Sequence, residues 1–161
     1  MFNRAVELIL SFEGGYIDHK NDPGGETNYG ISKKAYPNED IKNLTKERAA
    51  ALYKLHYWDT IQGDALPHGL NLLVFDTAVN HGVYKAVTLL QKALNIKADG
   101  IIGPATLTAL QGAPVSSLIQ QIAMSRLLEY QAKNWEHFGK GWSNRLLLVS
   151  LMSAFYCKSG I

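Results

Sequence analysis

Three side chains in one glycine-rich segment have the types and the order that cleavage of a sugar bond requires. The segment reads Glu13-Gly-Gly-Tyr-Ile-Asp-His-Lys-Asn-Asp22-Pro-Gly-Gly-Glu-Thr27-Asn-Tyr-Gly30-Ile. Glycosidic hydrolysis needs a proton delivered to the leaving oxygen and a second polar group that holds water or offsets positive charge on the other face of the ring. Glu13 is the candidate proton donor. A donor must keep its proton near neutral pH, a state favoured by apolar surroundings and by the negative end of a helix dipole. The sequence offers both, since Glu13 follows Phe12 where a helix runs out. Asp22, in an Asp-Pro-Gly-Gly turn, is the candidate for activating water or stabilising charge, with Thr27 orienting the same water. Each residue alone has a plain alternative: a surface Glu before a glycine cap, an Asp doing turn chemistry, a polar loop residue. Their conjunction beside Gly14 and Gly15, which let a ligand approach the backbone, points to acid/base hydrolysis of a glycan.

The elements around this segment are read as mainly helical. Phe2, Ala5, Val6, Ile9 and Leu10 recur at helical spacing and predict an amphipathic helix over 2–13. Strand signals are confined to 14–31, where a loop of that length is expected to be functional or to hold a small irregular hairpin. Thr45 is placed as the N-cap of a helix from Lys46 to about Trp58, with Ala49, Leu52, Tyr53 and His56 on one side. Leu70–His81 is apolar around most of its circumference and is expected at the centre of the core, ended by Gly82. Helices are further expected over 84–94, from Pro104 to Gly112, and from about Pro114 to His137. After Gly139–Gly141 the apolar run Leu146–Cys157 is too short to span a bilayer and is expected to be a buried core helix.

Composition narrows the function classes. A chain of 161 residues, 47% hydrophobic and 19% charged, suits one soluble globular domain, or one with a small lobe. A net charge of +2 does not call for a nucleic-acid partner. Cys157 is the single cysteine, which excludes an intramolecular disulfide. The five histidines (His19, His56, His68, His81, His137) show no short metal-ligand spacing, so neither a metal nor another cofactor is expected. Arg4 and Glu7 interrupt the apolar start, so no signal peptide is read there. The expectation is synthesis in the cytoplasm, and if the substrate lies outside it, something else must release the protein.

The spacing Glu13-x8-Asp22-x4-Thr27-x2-Gly30 is similar to the catalytic pattern of phage-type lysozymes. More closely, Phe12-Glu-Gly-Gly-Tyr16, Asp22-Pro-Gly-Gly25 and Thr27-Asn-Tyr-Gly30-Ile31 resemble the signature of glycoside hydrolase family 108, the N-acetylmuramidases. The likeness continues in Tyr57-Trp58-Asp59, Phe75-Asp76-x-Ala-Val-Asn80-x-Gly82, Leu90-Gln91-x-Ala-Leu94, Asp99-Gly100-x-Ile-Gly103-Pro104-x-Thr106 and Gly141-Trp142-x-Asn144-Arg145. The resemblance implies a lysozyme-like helical fold and cleavage of the β-1,4 bond between N-acetylmuramic acid and N-acetylglucosamine, with Glu13 the essential acid. It implies a catalytic N-terminal part (1–69) and a peptidoglycan-binding-like helical part (70–161), packed as one compact unit. Peptidoglycan strands are the expected partner of a monomer that makes no membrane contact. Two alternatives remain: a lytic transglycosylase, and a non-catalytic wall-binding module that assists secretion.

Further residues are candidates for substrate binding. Tyr16, Tyr29, Tyr57, Trp58 and Trp142 could stack on sugar rings, with Tyr57 or Trp58 preferred as a cleft wall. Asp76 and Asn80 lie four apart on one face of the helix 70–81 and could reach substrate. The competing reading is a satisfied internal pair, because buried polar groups must be hydrogen-bonded.

Overall fold

The computed structural model describes residues 1–18, 25–132 and 135–160, with backbone only over 135–138. The chain is mainly α with a small antiparallel sheet, the lysozyme-like class expected. Its elements are α1 (Phe2–Phe12), β1 (Thr27–Asn28), β2 (Ile31–Ser32), α2 (Lys46–Tyr53), a π-helical turn (Lys54–Trp58), α3 (Leu70–His81), α4 (Val83–Ala93), α5 (Pro104–Leu110), α6 (Val115–Gln131) and α7 (Trp135–Ser159). Packing divides them into two units, Phe2–His56 and Tyr57–Ile161, the latter with Met1.

In the first unit, α1 buries Ala5, Val6, Ile9 and Leu10, the apolar face read from its spacing. It ends at Phe12, and the Glu13 amide closes back on Leu10 O at 3.3 Å. The hairpin pairs Thr27 with Ser32 and Asn28 with Ile31, which leaves Tyr29 and Gly30 as a two-residue turn. Both have positive φ, 50° and 74°. That is the backbone of a turn whose twist matches its strands, and Gly30 takes it up without strain. Ile17 adds a third rung, exchanging two 2.8 Å backbone hydrogen bonds with Thr27. Asn28 is buried and donates to Ile41 O at 3.2 Å, tying the hairpin to the segment that leads into α2. Thr45 caps α2 as expected, accepting from the Arg48 amide at 3.2 Å.

The second unit is built around α3, where Leu70 to Ala78 are buried without a break. Burying each large side chain there contributes about 1.5–3 kcal/mol relative to exposure. Helices α4, α6 and α7 pack on it, and α6 packs along α7. Gly69, at φ 80°, makes the tightest of these junctions. A Cβ there would sit 2.1 Å from Ser153 O and 2.9 Å from Cys157 N of α7. Between α4 and α5, Gln91 holds the loop together: its amide nitrogen reaches Asp99 Oδ1 at 2.7 Å and Ile101 O at 3.0 Å, and its oxygen accepts from the Gly100 amide at 2.9 Å.

Two expectations are corrected. The helix expected to reach His137 stops at Gln131, and a new helix begins at Trp135 and runs on through Gly139 and Gly141. Each interior glycine costs a helix roughly 1 kcal/mol, and the burial of Leu146 and Val149 on the same helix offsets it. The run Leu146–Cys157 is also not wholly core. Leu147, Leu148, Leu151 and Phe155 are exposed, so only one face of α7 is buried. No described helix is long and apolar enough to cross a membrane.

Candidate active site

Glu13 sits one residue past the end of α1, half-buried, with its carboxyl group against Gly30 of the hairpin turn. A Cβ placed on Gly30 would lie 2.6 Å from Glu13 Oε2 and 2.6 Å from the Tyr53 hydroxyl oxygen. Carboxyl and phenol therefore both border the space above the bare Cα of one glycine. Tyr53 is buried at the end of α2, and its hydroxyl donates to Tyr29 O at 3.0 Å. The Tyr29 amide in turn donates to Gly14 O at 3.2 Å. The turn that supplies the glycine floor is thus fastened both to the glycine after Glu13 and to α2. What this makes is a carboxylic acid in fixed position, partly open to solvent, with a hydroxyl alongside.

Thr27 lies on β1 of the same hairpin, half-buried, its backbone bonded to Ile17. Its hydroxyl makes a long contact of 3.5 Å with Gly25 O. Tyr16 is 40% exposed and donates to Glu26 Oε2 at 3.1 Å. Desolvation, and then the Glu26 hydrogen bond, raise the Tyr16 phenol above its ordinary pKa. Tyr29 is half-exposed in the turn. The structure so brings Glu13, Tyr16, Thr27 and Tyr29 into one small region. Asp22, the sequence's candidate for handling water, lies outside the described residues.

In the second unit, Tyr57 is half-exposed, but Trp58 cannot serve as a cleft wall. Its ring is 0% exposed, packed edge-on against Phe75 at 5.4 Å, and a Cβ on Gly63 would fall 2.5 Å from it. Asp76 cannot touch a substrate directly either. It has no exposed surface, and its two carboxylate oxygens are taken by Arg126 Nη1 at 2.7 Å and Arg145 Nε at 2.8 Å. Asn80 donates to Asp76 O at 2.8 Å and to Asp76 Oδ1 at 3.2 Å, while remaining exposed itself. The physical reason is balance: a buried carboxylate persists only when paired, and two guanidinium groups supply that pairing.

Sequence reasoning overlooked Tyr53 and Arg126. Helical spacing put Tyr53 on the inner side of its helix, yet nothing local showed that its hydroxyl would meet a turn 24 residues earlier. Arg126 stands 50 residues from Asp76, on a helix whose apolar pattern carried no sign of a buried charge.

The profile of Glycosyl hydrolase 108 matches residues 6–82, and that described as Predicted Peptidoglycan domain matches residues 85–147. The solved structure of SagA from Brucella abortus superposes with a TM-score of 0.85 at 34% sequence identity, over 97% of this chain and 95% of that one. No match was found among curated proteins. The two matched profiles and the likeness to SagA support a peptidoglycan-degrading or peptidoglycan-binding function. The chain belongs to glycosyl hydrolase family 108.

Proposed function

We propose that this protein is an N-acetylmuramidase that hydrolyses the β-1,4 bond between N-acetylmuramic acid and N-acetylglucosamine. The observation that carries this reading is the Glu13 carboxyl group held at the end of α1 over Gly30, beside the Tyr53 hydroxyl. Glu13 protonates the leaving oxygen. Asp22, aided by Thr27 on β1, positions water or offsets charge on the opposite face of the sugar. Tyr53 acts through Glu13 as a positioning residue, because it is buried and fixes the turn against which the carboxyl rests. Tyr16 and Tyr29 offer ring surface nearby. Cleavage is assigned to the N-terminal part and wall retention to the helical part matched by the peptidoglycan profile. The protein acts on the wall after release from the cytoplasm.

The test is a turbidity assay on bacterial cells or isolated walls, comparing wild type with Glu13→Gln, together with mass spectrometry of the released muropeptides. Lysis by wild type alone, yielding reducing N-acetylmuramic acid ends, is the expected result. Anhydro ends would reassign the protein as a lytic transglycosylase. Wall binding without lysis in both forms would make it a binding module.

A further inference from the structure

At the C-terminal end of α3 two adjoining open cavities, of about 620 and 130 Å³, share Asn80 and His81. Lys85 and Glu129 line the larger, and Tyr130 and Trp142 line the smaller. Its floor is aromatic and continuous. His81 stacks on Tyr130 with ring centroids 5.5 Å apart, and Tyr130 meets Trp142 at 5.2 Å. Trp142 is half-exposed and Tyr130 is buried beneath it.

The ionic cluster around Asp76 supports that floor. Arg126, which pairs with Asp76, donates through Nη2 to the Tyr130 hydroxyl at 2.7 Å. Arg145, the second partner of Asp76, follows Trp142 on α7 by less than one helical turn. Asn80 spends its amide hydrogens on Asp76, so its amide oxygen is the group it has to offer at the cavity. Lys85 and Glu129 form an ion pair at the wall, supplying donors and acceptors with no net charge.

The aromatic floor of the smaller cavity, joined through Asn80 and His81 to a larger one of ligand-sized volume with balanced donors and acceptors, suits a neutral ring with apolar faces and polar edges. They do not suit a polyanion or a charged peptide, which would need an excess of one sign. We infer that this cavity is a glycan-holding site that takes an amino-sugar ring of the peptidoglycan strand. It contains none of the residues assigned above to bond cleavage. The identity of the polymer rests on the muramidase reading.

The experiment uses the Glu13→Gln protein, so that bound wall is not consumed. Its retention is measured on sacculi and on glycan strands stripped of stem peptides by an amidase. Asn80→Ala, Lys85→Ala and Trp142→Ala are each added, with thermal melting as the folding control. About a tenfold loss of retention on both materials is expected for each. Should Trp142→Ala fail to fold, the two substitutions at surface-accessible positions carry the test. Unchanged retention in those two, or no retention by the parent, overturns the site. Retention on sacculi but not on stripped strands overturns the glycan assignment in favour of a stem peptide. Wild-type lysis is scored separately: if it is absent while Asn80→Ala and Lys85→Ala still lose binding, the muramidase reading fails and the site stands.

Discussion

Glu13, just past the end of α1, and Asp76, within α3, are both carboxylates, and the structure uses them in opposite ways. Glu13 stands just beyond its helix, half-open, with its carboxyl over a residue that has no side chain. Asp76 lies in the middle of α3, sealed from solvent and clamped by two arginines. An acid that must trade a proton with a substrate needs access and a fixed neighbour of low bulk. An acid that holds helices together needs full compensation, since an unpaired buried charge is costly. The difference in burial separates the role proposed for Glu13 from that of Asp76 where residue type does not.

The largest effect expected is in activity. Glu13→Gln should lower lysis by about 10²–10⁴-fold, the usual contribution of a general acid, and leave the melting temperature close to that of wild type. A fall in melting temperature as large as that of an Asp76-cluster variant would break the comparison. The converse holds for Arg126→Met, which strips one partner from a buried carboxylate. It should cost about 3–5 kcal/mol in denaturant unfolding. A loss below 1 kcal/mol would show that Arg145 suffices alone.

Gly30→Ala sharpens the contrast from the other side. Its methyl group would meet both the Glu13 carboxyl and the Tyr53 hydroxyl at a positive φ. Left-handed backbone costs a residue with a Cβ about 1–2 kcal/mol, while a displaced acid costs on the order of 10²-fold in rate. Activity should therefore fall further than stability. Tyr53→Phe is milder: one hydrogen bond to Tyr29 O is lost, worth about 0.5–1.5 kcal/mol. The expected reading is a drop in kcat with KM nearly unchanged, since the hydroxyl positions the acid and binds no sugar.

The smallest effect concerns Asp99, which the Gln91 hydrogen bond, and then the Ile101 amide, hold below the usual carboxylate range. Its folded pKa lies below its unfolded one. Its contribution is therefore complete above the unfolded value and is lost as pH falls through the folded value. Asp99→Asn should accordingly flatten the acid limb of a melting-temperature profile. Parallel limbs in the two proteins would refute the linkage.

What the sequence made legible was periodic or local. The face of α1 buried the positions its spacing named, Gly82 ended α3, and Thr45 capped α2. The hairpin was legible as a glycine-rich segment, and Glu13 as an acid at a helix end. The remainder depended on contacts between distant residues. Arg126 sits among apolar neighbours on α6 and looks misplaced until Asp76 and Tyr130 appear beside it. Trp58 looked like a ligand platform because aromatic residues serve both cores and clefts, and only packing against Phe75 and Gly63 decides between them.

The junction at Gly69 has a consequence for how the chain comes into being. The backbone that begins α3 is seated against Ser153 and Cys157, within a few residues of the C-terminal end of α7. The central helix thus cannot reach its final surroundings during synthesis until the chain through Cys157 has left the ribosome. Removing the last turns of α7 would strand α3 with its first turn uncovered.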